Sequence, residues 1–254
     1  MQVSLITCTY NSEKTIKDCC LSILSQSCKD LEHIIIDNHS NDKTLSIANE
    51  YKIKFQKILK QKSNGLYGAL NEGLIAASGE IIGILHSDDQ FIDNTIVENI
   101  RKIFLNEKID ILFSNLFYTK KNDTTKIVRK WRSNLANGIQ SNLKIEKKIN
   151  NGWMPPHTTI FFKKSLLNNI GLYNEKFKIS SDYDFIIKLL RAKNIKIFFL
   201  DKYTIKMRAG GISNKSIANI FIKMIEDIKI MKKNEMNFFK TIILKNFSKI
   251  SQFF

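Results

Sequence analysis

His86-Ser87-Asp88-Asp89 sets two adjacent carboxylates directly after an apolar run, Gly79-Glu80-Ile81-Ile82-Gly83-Ile84-Leu85. The run reads as a buried strand, so the pair is expected at a strand's carboxyl end. Adjacent carboxylates repel unless a positive charge sits between or beside them. A hard divalent cation meets that need, because it binds carboxylate oxygens and can hold a phosphate on its open side. The same residues could instead open a turn or cap a helix. Farther along, Ser180-Ser181-Asp182-Tyr183-Asp184 brings two more carboxylates to the first turn of an expected helix, where Asp182 and Asp184 would offset the helix dipole. Lys206 and Arg208 precede Gly210-Gly211-Ile212-Ser213. Two cations ahead of a glycine pair could form a lid that grips a diphosphate, or a plain surface loop.

The elements that must position these groups alternate in period. Val3–Thr9 reads as a buried strand, and Ser12 is expected to cap a helix carrying Ile16, Cys19, Cys20, Ile23 and Leu24 at helical spacing. Leu31–Asp37 reads as a second strand, followed by a polar turn over residues 38–42. A helix at 44–51, a strand at 55–59 and a helix at 67–77 then lead into the 79–85 strand. This alternation argues for an α/β fold whose parallel sheet is covered on both faces, with ligands at the strands' carboxyl ends. Thr9, Tyr10 and Asn11 end the first strand, Asp37 the second, and Asp88 and Asp89 a later one, so polar residues from separate strands converge on one edge. Residues 110–118 form a further expected strand. Residues 120–151 are polar, basic and poorly periodic, and read as an insertion or a flexible acceptor-side segment. Trp153-Met154-Pro155-Pro156-His157 leads to a strand at 158–162. The helix after Ser180 buries Phe185, Ile186, Leu189 and Leu190, and a last strand covers 195–200.

With 254 residues, 43% hydrophobic and only two prolines, the chain can bury a full core as one domain with an appendage. The N-terminus enters a strand without a basic region or cleavage site, and no apolar run approaches a membrane span, so a cytoplasmic location is expected. Cys8, Cys19, Cys20 and Cys28 fit neither a disulfide framework nor a zinc site and read as reduced packing residues. A net charge of +16 calls for a polyanionic neighbour: nucleic acid, a phosphorylated substrate or an anionic membrane. The excess is lysine in a sequence also rich in Ile and Asn, a bias that AT-rich codons alone could produce. The C-terminal residues carry Ile, Phe and Met at helical spacing with interleaved Lys. A basic amphipathic helix over 237–247 would either pack on the domain or lie in an anionic membrane surface.

Leu5-Ile6-Thr7-Cys8-Thr9-Tyr10-Asn11, Ile36-Asp37-Asn38-His39-Ser40-Asn41-Asp42-Lys43-Thr44, Asn64-Gly65-Leu66-Tyr67-Gly68-Ala69-Leu70-Asn71-Glu72-Gly73, the 79–89 run and Ser181-Asp182-Tyr183-Asp184 occur in an order and spacing that resembles the family 2 glycosyltransferases. These are inverting nucleotide-sugar enzymes of GT-A fold, and the likeness is best to members that extend bacterial surface polysaccharides. The resemblance covers about residues 1–215. It implies a GT-A domain over 1–214, with a nucleotide-sugar half at 1–118 and an acceptor half at 119–214, followed by a basic helical tail at 215–254. It assigns Asp89 to a Mn²⁺ or Mg²⁺ ion and Asp88 to the ribose or the metal's surroundings. Asp37 would accept the imide N–H of a uracil, which favours a UDP donor, or cap the next turn. Thr9 and Tyr10 would border the base, while Asn11, Asn64, Gly65, Tyr67 and Asn71 would face the donor. The family often has carboxylates where this chain has Ser63 and Gly68. Asp182 is the implied general base, and a transferase with a metal-bound diphosphate leaving group needs no second carboxylate as acid. His157 occupies a place where the family often has a polar acceptor-site residue.

The expected activity is sugar transfer from a nucleoside-diphosphate donor to a glycan or polyprenyl-linked acceptor, at the inner membrane face if the tail binds lipid. A nucleotidyltransferase could use a similar sheet and Asp pair, but Thr9-Tyr10-Asn11 stands where it would want a Gly- and Arg-rich loop. Nucleic-acid binding would explain the charge, yet the cations are dispersed and no aromatic–basic stacking motif is present.

Overall fold

The computed structural model describes residues 1–210, 216–236 and 241. In chain order, the strands are β1 (Val3–Thr9), β2 (Leu31–Asp37), β3 (Phe55–Lys60), β4 (Ile81–Ile84), β5 (Gln90–Phe91), β6 (Ile111–Lys120), β7 (Asp123–Trp131), β8 (Gly138–Gln140), β9 (Phe161–Lys163) and β10 (Ile197–Arg208). The helices are α1 (Ile16–Leu24), α2 (Thr44–Glu50), α3 (Gly65–Ala76), α4 (Ile96–Glu107), α5 (Asn142–Asn150), α6 (Leu167–Ile170), α7 (Ser181–Leu190) and α8 (Ile217–Lys233). One sheet runs β3-β2-β1-β4-β9-β6-β10-β5, with β7 beside β6 and β8 beside β10.

Every residue of β2 is buried, as a central parallel strand requires. Alternate side chains then sort into two cores. Ile34 and Ile36 join Ile6, Leu70, Leu74, Phe185, Ile186, Leu189 and Ile230 on one face, where α3, α5, α7 and α8 pack. Leu31 and Ile35 join Val3, Leu5, Ile16, Cys19, Ile23, Val97 and Ile100 on the other, where α1, α2 and α4 pack. The expected two-faced α/β sheet is present. It is parallel through β3-β2-β1-β4, whereas β9 runs antiparallel to both β4 and β6.

Three expectations are corrected. Residues 120–151, read as an insertion or a flexible acceptor-side segment, carry regular structure: β7 folds back antiparallel on β6, and β8 and α5 follow. The polar reading arose because no residue of β7 is fully buried and Ile127 and Val128 stand exposed, so no apolar period shows. The strand expected at 158–162 is a 3-10 turn at His157–Thr159 followed by β9. Ser12 does not cap α1 with its side chain; its carbonyl accepts the Thr15 and Ile16 N–H groups, and Thr15 holds the N-cap position. The helix expected at 237–247 lies outside the described residues.

Burial of polar groups gives the fold a pH dependence. His33 of β2 is 1% exposed, with Nε2 3.0 Å from Thr7 Oγ1, and burial pushes its pKa down to about 4. The folded state therefore holds His33 neutral where the unfolded chain, titrating near 6.5, would protonate it. This contribution is complete above pH 6.5 and lost as pH falls toward 4. Acidification from pH 7 to 5 is expected to lower the unfolding free energy by about 2 kcal/mol through this group. His33→Asn should remove that part of the slope in urea titrations; an unchanged slope would contradict it.

Candidate active site

The parallel register sets Thr9 beside Asp37 at the carboxyl ends of β1 and β2. Thr9 Oγ1 donates to Asp37 Oδ1 at 2.8 Å, and Ser40 donates to the same carboxylate through its N–H at 2.9 Å and its hydroxyl at 2.6 Å. Asp37 is 1% exposed, so it ties two loops together in the turn-capping role that its sequence position allowed. Asn11 takes a positive φ of 47°, accepts Asn41 N–H on Oδ1 at 3.0 Å and donates its own N–H to Ser40 Oγ at 2.9 Å. Tyr10, by contrast, is 62% exposed and presents a ring on the rim of this edge.

The Asp pair divides sharply. Asp89 is fully buried, neither carboxylate oxygen has a hydrogen-bond partner, and its pKa is pushed well above the carboxylate range by burial and by Asp88. Arg208 pulls the other way. Asp88 is half-buried and keeps contact with solvent. Arg208 explains this posture: its guanidinium donates to the Asp88 carbonyl oxygen at 2.6 Å, to Lys121 O at 3.1 Å and to the Asp18 carboxylate. It is 7% exposed and part of β10, so the lid expected from Lys206 and Arg208 is corrected: both are strand residues, and Arg208 is already committed to the backbone it clamps. Lys206 pairs with Gln90 of β5, on the same face of the strand as Arg208. Gly211, Ile212 and Ser213 lie outside the described residues. Ser87 Oγ sits 3.0 Å from Ser12 Oγ, joining the β4 exit to the β1 loop.

Asp182 enters from the other half of the chain, as the second residue of α7, and is half-buried. Its Oδ1 accepts the Tyr183 N–H at 2.8 Å and lies 3.4 Å from the Tyr67 hydroxyl, which donates to Ile179 O at 2.6 Å. His86, two residues before Asp88, is half-buried; burial lowers its pKa, while the charges of Asp88 and Asp182 act the other way. Its ring stands 6.0 Å from that of His157. His157 Nε2 is 2.7 Å from the Tyr173 hydroxyl, and burial and then His86 push its pKa down to about 3. His157 is thus a neutral, half-buried support beneath the site.

The α3 residues separate in the same way. Asn64 and Gly65 are exposed at the helix start, Gly65 with φ of +73° and open space where a Cβ would point. Asn71 is not directed at a ligand: it is 5% exposed, donates to Tyr173 O and Glu175 Oε1, and accepts Tyr173 N–H. The Ser63 and Gly68 departures fall together, since a Cβ on Gly68 would meet Ser63 Oγ at 2.4 Å. Tyr173 and Arg208's clamp escaped the sequence reading. Nothing local marks Tyr173, whose partners Asn71 and His157 come from distant segments.

Among the described residues no three His, Cys, Asp or Glu side chains are grouped as a metal cage. A cation held beside a diphosphate needs no such cage, because one or two carboxylates and the phosphates suffice. The orphaned buried oxygens of Asp89 behind the accessible carboxylate of Asp88 fit that donor set.

The sequence profile described as "Glycosyl transferase family 2" matches residues 4–171. The chain is 30% identical over 239 residues to the UDP-Glc:alpha-D-GlcNAc-diphosphoundecaprenol beta-1,3-glucosyltransferase WfaP of Escherichia coli, covering 91% of this chain and 85% of that one. It is 28% identical over 217 residues to the uncharacterized glycosyltransferase MJ1057 of Methanocaldococcus jannaschii, covering 84% of this chain and 72% of the other. In fold it is similar to S. aureus TarS 1-349 in complex with UDP-GlcNAc, with a TM-score of 0.72 at 22% identity over 91% of this chain and 67% of that one. The chain spans only 40% of the longer TarS structure.

Proposed function

The chain belongs to glycosyl transferase family 2, and on that premise we propose that it moves a sugar from a UDP-sugar, with inversion, to a hydroxyl of a polyprenyl-linked or growing surface glycan. The observation that carries the reading is the chain of contacts from the β4 exit to the start of α7: the His86 ring lies 6.0 Å from that of His157, His157 Nε2 lies 2.7 Å from the Tyr173 hydroxyl, Tyr173 stacks on Tyr67, and the Tyr67 hydroxyl lies 3.4 Å from Asp182 Oδ1. Preference for UDP and for a lipid-linked acceptor is supported by the names of relatives such as WfaP.

In this reading the Tyr10 ring borders the base and Asn11, Asn64 and Gly65 line the donor's approach, while Asp37 and Thr9 hold the β1 and β2 loops in shape. Asp88, with Asp89 behind it, would hold Mn²⁺ or Mg²⁺, which when bound neutralises charge on the diphosphate leaving group. The division differs from the one implied by resemblance, because Asp88 is the carboxylate that solvent reaches. Asp182 takes the proton from the acceptor hydroxyl as its oxygen attacks the anomeric carbon opposite the diphosphate. Tyr67 and the Tyr183 N–H keep its carboxylate oriented. Family membership sets aside the nucleotidyltransferase alternative.

A panel of nucleotide sugars with Mn²⁺, read by nucleoside diphosphate release, tests the proposal. UDP release from one UDP-sugar is expected, and pyrophosphate release from a nucleoside triphosphate would contradict it.

No helix among the described residues is long and apolar enough to cross a membrane. Peripheral contact is supported instead by α8, where Ile220, Phe221, Met224 and Ile225 form an exposed stripe flanked by Lys223, Lys229 and Lys232. Such a face suits an anionic bilayer. Phosphatidylglycerol vesicles should sediment the protein, phosphatidylcholine vesicles should not, and Phe221→Asp should weaken binding about tenfold. Equal binding to both vesicle types, unaffected by the substitution, would contradict the contact.

A further inference from the structure

The start of α7 has a supply problem. Ser180 stands at its N-cap position but makes no side-chain capping bond, although the first N–H groups of a helix need acceptors. Asp182 itself accepts one of them, the Tyr183 N–H, while the three N–H groups just ahead of the helix are met from α8. Glu226 of α8 is 7% exposed and turns its carboxylate onto the segment that leads into Asp182. Oε1 accepts the Lys178 N–H at 2.7 Å, and Oε2 accepts the Ile179 and Ser180 N–H groups at 2.9 Å each. On the opposite side, Ile179 O accepts the Tyr67 hydroxyl. Residues 178–180 are therefore gripped between α8 and α3, and Asp182 follows within two residues.

We propose that Glu226 is a positioning residue for sugar transfer: its carboxylate holds the segment that leads into α7 and so fixes where Asp182 stands. The proposal rests on the reading of Asp182 as the base. A carboxylate is suited to the task for two reasons. It offers enough lone pairs for three N–H donors, and it places negative charge where the α7 dipole is positive. Lys223 O of α8 also accepts the Ser180 hydroxyl at 3.5 Å, whereas two other ties stand apart: Lys233 Nζ lies 3.3 Å from Asp184 Oδ1, and Arg191 donates to Asn234 O. Those two hold the helices together without touching residues 178–180.

The test uses the full chain, with turnover read by UDP release from the UDP-sugar that the wild type accepts and binding read by calorimetry with UDP and Mn²⁺. Glu226→Ala is expected to lower kcat about tenfold to a hundredfold, with KM for the donor and Kd for UDP within about twofold. Glu226→Gln keeps an oxygen for the Ile179 and Ser180 N–H groups but loses the Lys178 bond, so its kcat should fall less, by about threefold to tenfold. Lys233→Met, which leaves Lys188 on Asp184, should keep wild-type kcat. Wild-type kcat in Glu226→Gln, alone if the alanine variant does not fold, overturns the proposal. So does an equal loss in Lys233→Met, because that would make the effect one of helix packing. Asp182→Asn separates the two levels: if it turns over normally the base assignment itself fails, whereas an inert Asp182→Asn beside an unaffected Glu226 series refutes only the positioning role.

Discussion

Asp182→Asn is expected to slow sugar transfer about a hundredfold to ten-thousandfold while UDP affinity stays within about twofold. Asparagine preserves the size of the side chain and an oxygen for the Tyr183 N–H and the Tyr67 hydroxyl, which contact Asp182 at 2.8 and 3.4 Å. What it removes is the ability to take a proton. Asp184, two positions on, is the built-in contrast. It is fully buried and paired with Lys188 and Lys233, so Asp184→Asn acts on stability and leaves the proton transfer in place. Normal turnover in Asp182→Asn, measured as UDP release with acceptor present, would remove Asp182 from the mechanism.

Asp88→Ala is expected to abolish the strengthening of UDP binding by Mn²⁺, a coupling on the order of tenfold to a hundredfold in the wild type. The carboxylate that solvent reaches is the one lost, and Asp89 is fully buried. Asp89→Asn should retain part of the coupling, because Asp88 still stands at the opening. Calorimetric titration of UDP with and without Mn²⁺ resolves the two variants. Coupling that survives Asp88→Ala and vanishes in Asp89→Asn would restore the opposite division of the pair.

The first ninety residues were legible because parallel strands are buried on both faces and their polar ends stand out. The β1 and β2 boundaries, and the meeting of Thr9 and Asp37, follow from that contrast alone. Orientation was not legible. Whether Asp88 or Asp89 faces solvent depends on Arg208, whose guanidinium reaches the Asp88 carbonyl from 120 residues away. Family resemblance assigns Asn71 and His157 to ligands, and it carries no view of side-chain partners. Asn71 is taken up by the Tyr173 backbone and Glu175, and one ring nitrogen of His157 meets the Tyr173 hydroxyl. Glu226 had no signal at all, since on its own helix it looks like one more charge among lysines. The β7 hairpin was hidden for a different reason: a strand at a sheet's margin that buries little shows no period.

The configuration of the new glycosidic bond, read by proton NMR on the product of a UDP-α-sugar, tests the central claim most directly. One base, Asp182, opposite one diphosphate predicts a single displacement and a β-linked product. An α-linked product would mean retention, and no single-base account built on Asp182 and Asp88 could survive it.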